Sequence, residues 1–369
     1  MIAPMHSRLE QARDFFLAGV RHYQKGNFER AQAQFTASLA LVPGRTSTLT
    51  NLGATRLKLG RMQDAIDVLT EVLDREPHNV DALGHCAAAH AELGHSEQAL
   101  ALLERALAAD PSLATAWVLR GTLLREAGRA QEAARSYERA RACGADGELM
   151  GYYLAALQGD GAPPTAPRAY VQGLFDGYAQ GFEDHLLQVL RYQAPQRLLE
   201  GLGDSHRFAR ALDLGCGTGL CGVLLRDRVD RLVGVDLSAN MVRQARLRNV
   251  YDEVLEADLA HYLAASHETC DLVVAADVFI YVGALEAVFE GVARVLAKGG
   301  TFCFCVERDD EDRGEGFLLS QSRRYAHALR YIRKLAEQNG FEIRHTADHP
   351  IRDDQEKPIV GLYAWLIKR

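Results

Sequence analysis

The chain has 369 residues, 48% of them hydrophobic and 25% charged, with a formal net charge of −7. That composition suits folded globular domains, leaves room for two, and excludes a largely disordered chain. Residues 1–159 carry 17 basic and 18 acidic side chains against 25 and 31 in the remainder, so neither half has the cationic excess that nucleic-acid phosphates demand.

Residues 1–10 contain no apolar run of signal-peptide length, so no export signal is expected. The longest apolar stretch, 272–285, is too short to span a bilayer and contains Asp277, so no membrane partner is expected. The seven cysteines form no C-x-x-C pair. They read as reduced thiols of a cytoplasmic protein, neither a disulfide frame nor a metal site.

A period of 34 residues fills the first half. Gly26, Gly60, Gly94 and Gly128 share it, as do Ala31, Ala65, Ala99 and Ala133, the prolines 43, 77 and 111, and the apolar series Phe35, Leu69, Leu103, Tyr137. Each unit reads as two helices. Gly19, Gly53, Ala87 and Gly121 allow the helices to approach, Gly26 and its equivalents end the first helix, and the prolines close the second. The pattern resembles the tetratricopeptide repeat over residues 12–145, with Ala145 standing where the fourth unit's proline belongs. The resemblance implies a groove for a protein or peptide partner, or an arm for homodimerisation. A helix over 148–158 is expected to cap the stack. The run 159–167 holds three prolines and reads as a domain boundary. The expected organisation is therefore repeats over 8–158, a linker over 159–169 and a second domain over 170–369.

In that second domain strand-length apolar runs at 209–214, 231–235, 254–257, 271–275 and 301–306 alternate with helical patterns such as 239–247 and 285–296. The alternation predicts a mostly parallel sheet covered by helices, with ligands beyond the strands' carboxyl ends. The first run ends in Asp213-Leu-Gly215-Cys216-Gly217-Thr-Gly219. Gly217, Gly219 and Gly222 also satisfy G-x-G-x-x-G, so a dinucleotide competes with S-adenosylmethionine. A carboxylate at Asp213, charged at neutral pH, would repel a pyrophosphate and attract an ammonium and a sulfonium. Asp236 ends the second run and can accept from ribose hydroxyls. Asp258 follows the third and can accept from an adenine amine. Met241 reads either as a thioether against the adenine face or as core packing.

These residues resemble the class I S-adenosylmethionine-dependent methyltransferase fold over 170–369, a Rossmann-like α/β domain with a mostly parallel seven-stranded sheet ending in antiparallel strands at 341–346 and 360–367. The resemblance implies cofactor contacts from Asp213, Gly215, Cys216, Gly217, Gly219, Asp236, Leu237, Met241, Asp258, Leu259 and Asp277. Together with the all-α solenoid, it is similar to a bacterial group of repeat-containing methyltransferases. The stretch Asp277-Val-Phe-Ile-Tyr281 lacks the prolines of DNA amino-methyltransferases, and no Pro-Cys pair offers a cytosine-C5 nucleophile.

Phe175, Tyr178, Phe182 and His185 recur at helical steps and read as a lid over the cofactor or as packing on the sheet edge. Candidate bases and pocket residues are His185, His261, His327, Tyr178, Tyr281 and Glu307. His327 leads as the base, Tyr178 and Tyr281 shape the pocket, and the Arg323–Arg324 pair suits an acceptor carboxylate. The expected activity is methyl transfer to a protein, peptide or carrier-bound acceptor recruited by the repeats. The alternatives are a non-catalytic cofactor-binding scaffold, a small-molecule methyltransferase dimerised through its repeats, and a dehydrogenase.

Overall fold

A computed structural model describes residues 5–159, 161–176, 183, 185–203, 206–311, 316–354 and 357–369. Contacts divide the chain into two compact units, Met1–Met150 and Gly151–Arg369.

The first unit is built of helical pairs: α1 (Met5–Gln24) with α2 (Phe28–Leu41), α3 (Thr46–Lys58) with α4 (Met62–Arg75), α5 (Val80–Glu92) with α6 (Ser96–Ala109), and α7 (Ala114–Glu126) with α8 (Ala130–Ala142). Gly26, Gly60, Gly94 and Gly128 end the first helix of each pair with φ of 74°, 72°, 75° and 73°, a conformation that glycine adopts without Cβ strain. Ala31, Ala65, Ala99 and Ala133 are all fully buried. A Cβ on Gly53 would lie 2.6 Å from Leu69 Cγ, and one on Gly121 would lie 2.5 Å from the Tyr137 ring. The glycine is thus the space into which the second helix's large side chain packs.

Helix α9 (Gly147–Gln158) crosses the division between the units. The division between the units falls at Met150 and Gly151, within the helix expected as a cap over 148–158 and ahead of the linker expected over 159–169. The Tyr152 hydroxyl donates to the Arg323 carbonyl at 2.5 Å. Gly283 and Ala284 donate their N–H groups to the Pro164 carbonyl, and Ala166 donates to Tyr281. The backbone of the proline-rich run is thus paired to residues of the second unit.

The second unit opens with α10 (Arg168–Asp176), a single π turn at His185–Val189 and α11 (Ala194–Glu200). Its sheet contains β1 (Phe208–Leu214), β2 (Val229–Asp236), β3 (Glu253–Glu256), β4 (Cys270–Ala275), β5 (Leu296–Arg308), β6 (Phe317–Leu319), β7 (Tyr325–His327), β8 (Phe341–Asp354) and β9 (Lys357–Lys368). Parallel strands run β3-β2-β1-β4-β5. Strand β9 then pairs antiparallel with β5, and β8 pairs with β9. Between the strands lie α12 (Leu220–Leu225), α13 (Ala239–Leu247), α14 (Leu259–Ala265), α15 (Glu286–Val295) and α16 (Leu329–Gln338). Both faces are covered. Leu212, Val233, Phe302 and Phe304 enter one core, and Ala211, Leu272, Cys303 and Trp365 enter the other.

The expected mostly parallel sheet with terminal antiparallel strands is present, but the described residues hold nine strands where seven were expected. Strand β4 ends at Ala275, opposite Phe304, while β5 continues to Arg308. The exposed edge at Glu307 and Arg308 is taken by Ala326 and His327 of β7, and β6 completes a hairpin. Among the described residues no helix is long and apolar enough to cross a membrane.

Candidate functional site

The glycine-rich turn leaves β1 and enters α12. Gly215 and Gly217 hold φ of 67° and 54°, which an L side chain rarely adopts. Gly215 and Cys216 donate to the Val235 carbonyl at 2.8 and 3.0 Å, so the turn is stitched to β2. A Cβ on Gly215 would strike Val278 at 2.3 Å, whereas nothing stands within 4 Å of the same position on Gly217. The turn is backed by packing on one glycine and open at the next.

Asp236, at the end of β2, accepts from Gly217 N–H and Ser238 N–H, both at 2.9 Å. One carboxylate thus joins the turn to the start of α13, where Ser238 accepts from Met241 N–H as the helix cap. Burial raises the Asp236 carboxyl above its ordinary range, and those amide bonds oppose the rise. Leu237 is half-buried and its carbonyl receives Gln172 Nε2 at 3.4 Å.

Asp213 departs from expectation. It is buried and its carboxylate accepts from the Tyr251 hydroxyl at 2.6 Å. Burial pushes its carboxyl up to about 7, Tyr251 pulls it down, and the Asp236 charge adds to the rise. The charge taken as constant at neutral pH is therefore a titrating one. Its neighbour Cys216 is buried with Val242, Ala245 and Val254.

Asp258 is exposed and caps α14 by accepting from His261 N–H at 2.9 Å, and Leu259 is half-buried against the sheet core. Met241 is 1% exposed, which favours the packing reading over the adenine-facing one. Asp277 has φ of 56° and gives both carboxylate oxygens to Arg352, which also pairs with Glu307. Asp277 and Arg352 thus form a buried ion pair. It also occupies Glu307, whose carboxyl burial raises and Arg352 lowers.

His327 leads the expected bases. It is fully buried on β7, with Nε2 at 3.0 Å from the carbonyls of Val282 and Gly283. Nε2 carries the proton toward these acceptors, and burial lowers the ring's pKa to about 4 against the effect of those bonds. The residue ties β7 to the loop after β4. Tyr281 lies in that loop, edge-on to Phe175 at 5.6 Å and to Tyr170 at 6.5 Å. Burial raises its hydroxyl's pKa, and Arg324 acts in the opposite direction. Arg323 is buried with its guanidinium 3.7 Å from the Tyr153 ring centroid, whereas Arg324 keeps 26% of its side chain exposed beside Asp354. Tyr178 and Phe182 lie outside the described residues, as does the His185 side chain, so of the positions read as a lid or as edge packing only Phe175 has a described side chain.

Residues 212–304, from β1 into β5, match the family described as a methyltransferase domain. The second unit carries a methyltransferase domain. Residues 16–80 and 56–123 match tetratricopeptide repeats. The malonyl-[acyl-carrier protein] O-methyltransferase of Enterobacter lignolyticus is 30% identical over 142 residues, 38% of this chain and 55% of that protein. The corresponding protein of Geobacter sulfurreducens is 35% identical over 105 residues, 27% of this chain and 39% of that one. A trans-aconitate 2-methyltransferase of Paracidovorax citrulli is 35% identical over 94 residues, 25% of this chain and 36% of that protein. The chain thus spans about half or less of the curated relatives' length. Sequence reasoning missed Tyr251 and Arg352 in the methyltransferase domain. The glycines crowded around Tyr251 were visible, but nothing local linked them to it.

Proposed function

We propose that the chain is an S-adenosylmethionine-dependent methyltransferase, acting in the cytoplasm on an acceptor brought by a protein or carrier that the repeats bind. The observation that carries the cofactor assignment is the Asp236 carboxylate, fixed by the amides of Gly217 and Ser238 beside an open glycine turn. Asp236, together with Asp213 when it is ionised, favours a cationic donor and repels a diphosphate. Bound there, S-adenosylmethionine would supply an electrophilic methyl group for in-line transfer. Asp236 would orient the adenosyl part through its remaining lone pairs, the backbone at Gly217 would admit close approach, and Asp258 would offer an exposed acceptor.

On the acceptor side, the leading candidate base His327 is bonded to carbonyls, and Glu307, another candidate, is paired with Arg352. A carboxylate acceptor suits such a site because it is already ionised at neutral pH and needs no proton removed. Arg324 would orient it, with Tyr281 and Phe175 excluding water. Relatives named for acting on malonyl-carrier protein and trans-aconitate support an acidic acceptor.

The test is transfer of labelled methyl from S-adenosylmethionine to lysate fractions. Label that is protein-associated and released as methanol by mild base supports a carboxyl acceptor on a carrier. Base-stable label excludes the ester, and no transferred label from any fraction excludes the activity.

A further inference from the structure

Tyr251 follows Asn249, whose φ of 54° turns the chain after α13. The tyrosine ring fills space that three glycines leave vacant. A Cβ on Gly222 would lie 2.4 Å from Tyr251 Cζ, and Cβ atoms on Gly219 and Gly234 would lie 3.0 Å from Cε2 and Cε1. Those glycines belong to the cofactor turn, to α12 and to β2. The third glycine of the G-x-G-x-x-G pattern therefore makes room for an aromatic ring. The Tyr251 hydroxyl accepts from Gly222 N–H at 3.2 Å and donates to Asp213 at 2.6 Å. A single side chain thus touches the start of α12, the centre of β2 and the last polar group of β1.

We propose that Tyr251 is a positioning residue for the cofactor: its ring seats the glycine turn, and its hydroxyl holds the Asp213 carboxylate beside the cationic donor. The proposal rests on the cofactor assignment above. The other titratable groups facing Asp213 are Asp236 on β2, Cys216 in the turn, Cys221 on α12 and Cys303 on β5. Burial raises the three thiols, so they stay neutral, and Asp236 disfavours a second charge. The hydrogen bond from Tyr251 is then what keeps Asp213 ionisable near pH 7. Attraction for a cationic ligand strengthens as pH rises through that region and fades as pH falls.

Calorimetry of the full chain with S-adenosylhomocysteine, which keeps the ammonium, between pH 5.5 and 8.5 tests this. Tyr251→Phe keeps the ring and removes the hydroxyl. It is expected to bind about three- to tenfold more weakly at pH 7, with the midpoint of its affinity–pH curve displaced upward. An unchanged affinity and an unchanged midpoint overturn the proposal while leaving the cofactor assignment standing. Wild-type protein that binds nothing overturns both. Should Tyr251→Phe fail to fold, Gly222→Ala provides the second reading, since it drives a methyl into the ring. It is expected to weaken binding, and full wild-type affinity would count against the seating role.

Discussion

Burial gives Asp213 a pH dependence opposite to that of a salt-bridged surface carboxylate. Its folded-state pKa of about 7 lies above the unfolded value, so the native chain binds more protons between the two, and stability falls as pH rises toward and through 7. His327 has the other sign for a base: its folded value of about 4 lies below the unfolded one, so stability is lost as pH falls from about 6.5. Urea midpoints of the cofactor-free wild type and Asp213→Asn, compared between pH 5.5 and 8, separate the two. The wild type is expected to lose ground relative to the variant as pH rises, and parallel curves would refute the Asp213 contribution. Gly215→Ala places a methyl 2.3 Å from Val278 at positive φ and is expected to cost about 1–3 kcal/mol in thermal or urea unfolding. Much at this scale was legible. The glycines, Asp236 and Asp258 stand at strand ends that the apolar runs mark. Tyr251 and Arg352 were not legible, because their partners lie 38 and 75 residues away and only the folded sheet brings them together.

Strands and helices show the same divide between local and distant signals. The repeats could be read because each 34-residue unit restates the same helix ends and close approach, and Gly53→Ala is expected to destabilise the first unit by about 1–3 kcal/mol against Leu69. The parallel strands could be read because burial on both faces makes them continuous apolar runs. Strands β6 and β7 could not, since three residues carry no period. They form because β5 outruns β4 and leaves an edge to be paired. The loop over 281–285 is held by Pro164 on one side and by His327 and the Tyr331 hydroxyl on the other. Removing the buried ring in His327→Ala is expected to cost about 2–4 kcal/mol and to speed amide exchange at Gly283–Leu285. Unchanged exchange there would show that the histidine does not hold the loop.

For the whole molecule, contacts divide the chain at Met150, ahead of the proline-rich run at 159–167. Tyr152 bonds to Arg323, and the Pro164 carbonyl accepts from Gly283 and Ala284, pairings that a chain starting at residue 170 lacks. A fragment from Gly151 is expected to keep the full chain's affinity for S-adenosylhomocysteine, while one from residue 170 unfolds at lower temperature. The central claim is that the carboxylates beyond β1 and β2 receive a cationic adenosyl donor. Calorimetric titration of the full chain with S-adenosylhomocysteine and with NADH, in wild type and Asp236→Ala, tests it most directly. The account predicts one S-adenosylhomocysteine per chain, at least tenfold weaker binding in the variant, and no heat from NADH beyond dilution. Saturable NADH binding that Asp236→Ala abolishes, with S-adenosylhomocysteine inert, would contradict it.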